Sequence, residues 1–378
     1  MNWYDPIMLK EKIVRVTRYN ELKKLYEKYE RLLIPSMLLF GVAVDFVTFR
    51  AIKISTAFAL LGVYTIVAGA IIAFINAYDG ERIKHQNLAP IKYLRLAAPL
   101  VVQFTFGALL SASLIFYWFS GTISVSWPFI LIIAVLMASN EVLRHHYLKP
   151  TVQISVYFFI LFSLSSLILP FVFNSISPWI FLLSGVLSLI VIYLYIRLLA
   201  NSIPYIQRSK ARIRFFVIAI FISMNAMYFL NVIPPIPLSL REAGVYHSVQ
   251  RSGSGYIMQA EEESWLDWIT PGQTMHLRQG DRLYVYTAVF APADLDTKIY
   301  HRWEYYSKDE REWISGGRFS FSIIGGRENG YRGFSLKSNL TPGKWRVSVE
   351  TERGQVLGRI RFAVEQVEER PDFKNLIR

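Results

Sequence analysis

The side chains best able to do chemistry in this sequence are six histidines, a scatter of paired carboxylates and an arginine-rich C-terminal third. The histidines are His85, His145, His146, His247, His276 and His301. None sits in an HExxH helix, and the chain has no cysteine to complete a zinc set, so no metal centre is expected. His145 and His146 read as a solvated basic turn. His301 shares a predicted strand face with Ile299 and Trp303 and reads as a core or edge histidine. The pairs Asp294/Asp296 and Asp309/Glu310 fall in turn-like stretches, where solvation explains them better than acid–base work. No Walker loop, GxSxG elbow or GxGxxG opening a helix occurs. Gly253-Ser254-Gly255 lacks the spacing, and Gly325–Gly330 reads as a hairpin turn. No catalytic residue and no cofactor is therefore expected, and the chain is read as non-enzymatic.

What remains is an arginine–aromatic surface. Tyr300, Arg302, Glu304 and Tyr306 share one face of a predicted strand, 299–306. Arg332, Arg346, Arg359 and Arg361 are predicted on the outward faces of other strands. Guanidinium forks beside aromatic rings can hold carboxylates, phosphates or sugars. The plainer reading is a charged sheet face cross-paired with Glu304 and Glu350. Tyr300, Arg302, Arg332, Arg346, Arg359 and Arg361 are the ligand-binding candidates.

The strands that would carry this surface are expected near 243–249, 282–290, 299–306, 318–323, 331–337, 344–351 and 356–365. Turn residues separate them, among them Asn329-Gly330, Thr341-Pro342-Gly343 and Arg353-Gly354. Trp345, Val347 and Val349 are expected inward, with Lys344, Arg346 and Glu350 outward. Ile360, Phe362 and Val364 are expected inward on the hairpin partner. Six or seven short strands over residues 237–378 predict an all-β, immunoglobulin-like sandwich. Segment 251–280 is less regular: 251–255 reads as a flexible loop, and Glu261–Trp268 as a short helix or lid.

Upstream, the composition belongs to a bilayer. Residues 1–236 hold 21 Lys+Arg against 9 Asp+Glu, and residues 237–378 hold 20 against 19. The basic residues of the first part lie between apolar runs, which argues for a membrane and against nucleic acid. Seven apolar runs predict a seven-helix α-helical transmembrane bundle over 32–236: 32–50, 54–77, 96–118, 125–140, 152–173, 179–199 and 214–235. The fourth is the shortest, with Trp127-Pro128 placed in its first turn. Residues 1–31 form a basic, amphipathic segment without an apolar h-region, so the first run should stay as a signal anchor. One set of flanks carries 19 Lys and Arg, the opposite set only Arg50 and Lys53. That bias predicts a cytoplasmic N-terminus and an extracytoplasmic C-terminal domain.

Polar groups inside spans are costly and mark possible transport paths. Asp45, Gln103 and Asn225 are the intramembrane candidates, with Asn231 as a further hydrogen-bonding partner. Gly69/Ala73 and Gly107/Ser111 have the spacing for close helix approach. Pro234, Pro235 and Pro237 predict a stiff linker.

Ile299-Tyr-His-Arg-Trp-Glu304, Gly330-Tyr-Arg-Gly333, Leu340-Thr-Pro-Gly-Lys-Trp-Arg346, Gly354 and Gly358-Arg-Ile-Arg361 together resemble the bacterial family DUF2914. The resemblance implies a small extracytoplasmic β-domain following the helices of a bacterial inner-membrane protein, and it brings no activity, cofactor or site residue with it. The expected function is presentation of a β-domain that binds an envelope protein or glycan, with the lipid bilayer as the other partner. A transporter or channel component, or a transmembrane sensor, is the alternative.

Overall fold

The computed structural model describes residues 54–81, 83, 89–121, 123–142, 149–234, 238–253, 255–261, 273–291, 296–324 and 330–378. The basic segment 1–31, the expected span 32–50 with Asp45, most of the proline linker, the expected helix or lid around Trp265 and Trp268, and the 325–329 turn lie outside the described residues.

Among the described residues six helices precede the strands: α1 (Ile54–Asp79), α2 (Ala89–Ser120), α3 (Ile123–Val142), α4 (Pro150–Val172), α5 (Pro178–Ser202) and α6 (Pro204–Phe229). Prolines open α4, α5 and α6, where a missing N–H costs nothing and the fixed φ suits the first turn. By length and composition, five of the six are long and apolar enough to cross a membrane; within α3 only the shorter stretch Val125–Asn140 is apolar. The expected apolar runs 96–118 and 125–140 correspond to the apolar stretches Ala97–Ser120 and Val125–Asn140, but the helices that hold them start earlier, and the run expected at 214–235 is displaced. Helix α2 starts at Ala89 and takes in Lys92 and Arg95, and α3 starts at Ile123, leaving Pro128 inside it. Helix α6 starts at Pro204, takes in Arg208, Lys210, Arg212 and Arg214, and ends at Phe229, not 235. A hydropathy count stops at a charge, whereas Lys and Arg are good helix formers and the helix runs through them.

The helices pack through aromatic side chains. Phe106, Tyr117, Phe129, Phe158 and Phe162 are fully buried. Phe181 of α5 stacks on Tyr228 of α6 at 3.8 Å and 3°. Gly69 of α1 leaves room for α4: a Cβ there would stand 2.5 Å from the Tyr157 hydroxyl. That hydroxyl donates to the Thr65 carbonyl at 3.0 Å, and Tyr195 of α5 donates to the Gly69 carbonyl at 2.7 Å. Large apolar side chains such as Ile66, Leu100, Phe104, Leu198 and Phe215 are left exposed on the outside, as a lipid-facing surface requires.

Eleven strands follow among the described residues: β1 (Ser239–Tyr246), β2 (Ser248–Ser252), β3 (Gly255–Glu261), β4 (Gln273–Leu277), β5 (Arg282–Phe290), β6 (Asp296–Ser307), β7 (Glu312–Ile324), β8 (Tyr331–Ser338), β9 (Gly343–Thr351), β10 (Val356–Gln366) and β11 (Phe373–Ile377). They form three sheets, ordered β1-β5-β8, β4-β10-β9-β6-β7 and β11-β3-β2. Only the β4–β10 pairing is parallel. Val245, Leu283 and Val285 of the first sheet share a buried cluster with Met275, Trp303, Trp345, Val347 and Phe362 of the second. The inward set Trp345, Val347, Val349, Phe362 and Val364 is as the alternation predicts, with Ile360 only partly buried. The third sheet is the main departure. Residues 251–255, expected as a flexible loop, include the end of β2 and the start of β3, which pair antiparallel with Ser252 opposite Gly255, and Gly253 has φ +56°.

The helical and β regions touch. Asn231 turns the chain out of α6 in the left-handed conformation, φ +58°. The Arg353 guanidinium, in the β9–β10 turn, lies over the Tyr228 ring at 4.5 Å and the Phe229 ring at 5.5 Å. Asn231 Nδ2 donates to the Arg353 carbonyl at 3.4 Å, and Gln355 Nε2 to the Ile233 carbonyl at 3.4 Å. Leu238 is fully buried against Val289, Val349 and Leu357, and Ile176 packs on the same cluster.

Candidate functional site

Strand register brings most of the predicted arginines together. Across β7, β6, β9 and β10, Arg318 lies opposite Arg302, Arg302 opposite Ser348, and Ser348 opposite Arg359. In the next row Ser315, Glu304, Arg346 and Arg361 are neighbours in the same way. All point away from the apolar core, because their strand neighbours Trp303, Val347, Val349 and Phe362 point into it.

The charges are partly matched. Arg346 grips Glu304 through Nε at 2.7 Å and Nη2 at 3.1 Å, a fork-to-carboxylate pair. Arg318 Nε donates to Glu350 Oε1 at 2.9 Å, and its Nη2 reaches the carbonyls of Thr351 and Glu352 at 3.2 and 3.0 Å. Arg302 Nε stands 3.3 Å from Glu350 Oε2 without the alignment of a hydrogen bond. The expectation that Glu350 points outward holds for direction, but the side chain is 2% exposed, covered by the two arginines it serves. Two rings back the array: Arg318 lies 3.8 Å over Tyr300, and Arg346 lies 4.3 Å over Trp313. Arg359 is different. Its Nε donates to Ser348 Oγ at 3.2 Å, and burial, then Arg346 and Arg361, hold its guanidinium below the usual arginine range. Arg361 is exposed. Five guanidiniums against two carboxylates leave an excess of three positive charges in the centre of the face.

Arg332 is not part of it. It sits on β8 opposite Ala288, in the other sheet, because residues 331–338 pair with β5 and not with β7. Arg318 is the member that the sequence reading missed; its place at the start of a predicted strand gave no sign that it would face Arg302.

His301 points the other way, into the core, with no exposed surface. Its ring nitrogens stand 2.9 Å from Thr287 Oγ1 and 2.9 Å from Ser335 Oγ, and Trp303 Nε1 donates to the same serine at 2.9 Å. Burial pushes its pKa down to about 4. A second cluster was not foreseen. Glu261 lies between His247 Nε2 (2.6 Å) and His276 Nδ1 (2.8 Å) and accepts the His276 backbone N–H at 2.7 Å. Burial raises the Glu261 pKa, yet these hydrogen bonds outweigh it and leave the carboxyl below its usual range. Glu261 ends β3, His276 lies in β4 and His247 lies in the bend between β1 and β2, so no local spacing announces them. His247 also lines a cleft of about 310 Å³ with Asp281, Arg282, Tyr284, Arg370 and Phe373. Among the described residues no three metal-ligating side chains converge in a way that could hold an ion.

Of the intramembrane candidates, Asp45 lies outside the described residues. Gln103 accepts from Asn140 Nδ2 through its backbone carbonyl at 3.0 Å. Asn225 donates to Phe221 of its own helix at 2.8 Å, and Asn231 bonds to the β region, so neither is the interhelical link expected. The link is made elsewhere: Asn76 of α1 donates to Gln153 of α4 at 3.1 Å and accepts from Tyr205 of α6 at 2.6 Å, beside the Arg95–Asp79 pair at 2.7 Å.

The chain therefore has the make-up of a membrane protein: apolar helices followed by a C-terminal β-rich region. Within that region residues 296–364 match the family described as "Protein of unknown function (DUF2914)". The matched stretch runs from β6 into β10 and holds every member of the arginine face. No curated protein matches. Among solved structures, a β-glucosidase from Listeria innocua bound to gluconolactone is similar at 11% identity over 32% of this chain and 16% of that one, TM-score 0.19. An immunoglobulin-like protein from Pseudomonas aeruginosa is similar at 16% identity over 32% of this chain and all of that one, TM-score 0.17. The alkylpurine DNA glycosylase from Pseudomonas fluorescens, bound to DNA with an abasic site analogue, is similar at 11% identity over 81% and 99%, TM-score 0.22. The chain spans about a sixth of the β-glucosidase it matches, and likenesses this low carry no argument about function.

Proposed function

We propose that this chain is a non-enzymatic protein of the bacterial inner membrane whose helices, seven spans including 32–50, anchor an immunoglobulin-like domain outside the cytoplasm. That domain binds a protein or glycan of the envelope through the outer face of its five-stranded sheet. The observation that supports the binding role most is the excess of guanidiniums over carboxylates there, backed by Tyr300 and Trp313. Cross-strand pairing alone explains Arg346 with Glu304 and Arg318 with Glu350; it leaves Arg359 and Arg361 unexplained. The orientation rests on the Lys and Arg count in the flanks.

The test is a photo-reactive residue at Ser320, which is exposed at the edge of the face, in native membranes. One dominant protein or glycan adduct that disappears with Arg302→Ala and Arg346→Ala supports the reading; lipid and self adducts alone refute it. A second reading, a sensor, draws support from the Arg353 contact with the end of α6, which ties the position of the β-domain to a membrane helix.

A further inference from the structure

We infer that the part of this face formed by Arg346, Ser348, Arg359 and Arg361 is a binding site for a phosphoryl group. The inference rests on the recognition role proposed above and names its ligand class. Arg361 is directly opposite Arg346, and Arg359 directly opposite Ser348, on adjacent antiparallel strands. Facing residues put their Cβ atoms about 5 Å apart, and the two rows are about 7 Å apart along the strands. Three guanidiniums and a hydroxyl thus occupy an area that one tetrahedral anion can span.

The charges decide which anion. Among the described residues, Glu304 is the carboxylate that pairs with a member of this quartet, Arg346, while Glu350 is held by Arg318 and Arg302; Arg302, on β6, adds repulsion. Three positive charges less one negative leave two. A carboxylate brings one charge and two oxygens. A phosphomonoester brings about −1.5 to −2 near neutral pH and three acceptor oxygens, which matches both the charge and the donors. Arg359 is half-buried among like charges, with no carboxylate within ion-pair distance among the described residues. Its Nε is spent on Ser348 Oγ, so the serine hydroxyl keeps its proton to donate and both Nη groups of Arg359 stay available. A cation held this way costs stability until an anion arrives.

The phosphoryl group has two possible carriers. The β9–β10 turn rests on the end of the bundle through Arg353 and Gln355. Arg359 is four residues beyond Gln355, about 13 Å along the strand, near the level that lipid headgroups reach. Either a phosphomonoester headgroup of the same membrane or a soluble phosphate compound can therefore reach the site.

The experiment uses the full chain in phosphatidylcholine nanodiscs and follows modification of Arg359 and Arg361 by phenylglyoxal, with peptide mass spectrometry. Inorganic pyrophosphate is added in one arm, and phosphatidate replaces part of the lipid in another. Sodium acetate at matched ionic strength is the control. At least five-fold slower modification with pyrophosphate alone assigns a soluble ligand, and with phosphatidate alone a headgroup; both together support the site with either carrier. Unchanged rates in both arms, or equal protection by acetate, overturn the inference. The Ser320 adduct would survive that result, so the two readings fail separately.

Discussion

His301 should make this protein acid-sensitive in a window that no exposed histidine would produce. The neutral ring is fully satisfied where it stands. Ser335 accepts from Trp303 and can donate to Nδ1, leaving Nε2–H to donate to Thr287. A second ring proton would displace the serine hydroxyl proton and leave a charge in the core. The unfolded chain binds that proton near 6.5 and the native domain only near 4, so the unfolded state holds more protons between those values. Stability is therefore fullest above pH 6.5 and falls as pH drops toward 4. At 1.36 kcal/mol per pH unit the loss comes to about 3 kcal/mol. Thermal unfolding of the full chain in nanodiscs, followed by tryptophan fluorescence from pH 7 to pH 4, measures it against His301→Gln. The variant should be less stable at pH 7 and lose less across the window. Parallel pH profiles for the two proteins would refute the reasoning, whatever their absolute stability.

Other expected outcomes follow from the same contacts. Glu304→Gln breaks a partly buried fork and should cost about 2 kcal/mol in denaturant titration, with Arg346→Ala in addition costing little more. Glu261 has a lowered pKa, so the stability it adds is present above its ordinary value of 4.5 and lost as pH falls below it; Glu261→Gln should flatten the profile there. Arg353→Ala removes cation–π contacts worth about 1 kcal/mol each, and amide hydrogen exchange at Ile233 and Gln355 should quicken at least five-fold. Gly69→Val puts a side chain where the Tyr157 hydroxyl lies and should lower the melting temperature of the helical region, while Gly62→Ala, with open space around it, should not.

The sequence by itself determined the division of this protein and the direction of its side chains. Apolar runs too long for a soluble core announced the helices, because a bilayer leaves no other way to satisfy backbone groups. Strict alternation placed Trp345, Val347 and Phe362 inside and Arg346 and Arg361 outside, because strand pleating fixes that with a period of two. Helix ends were legible only to within a turn or more, since Lys and Arg interrupt a hydropathy count without interrupting a helix. Tertiary structure alone decided which outward residues become neighbours. Pairing sent Arg332 to one sheet and Arg318 to another, drew Glu350 under two arginines, and joined Glu261 to His247 and His276 from three separate segments. Those outcomes depend on register between distant segments, and register is set by how whole faces pack, which no local pattern records.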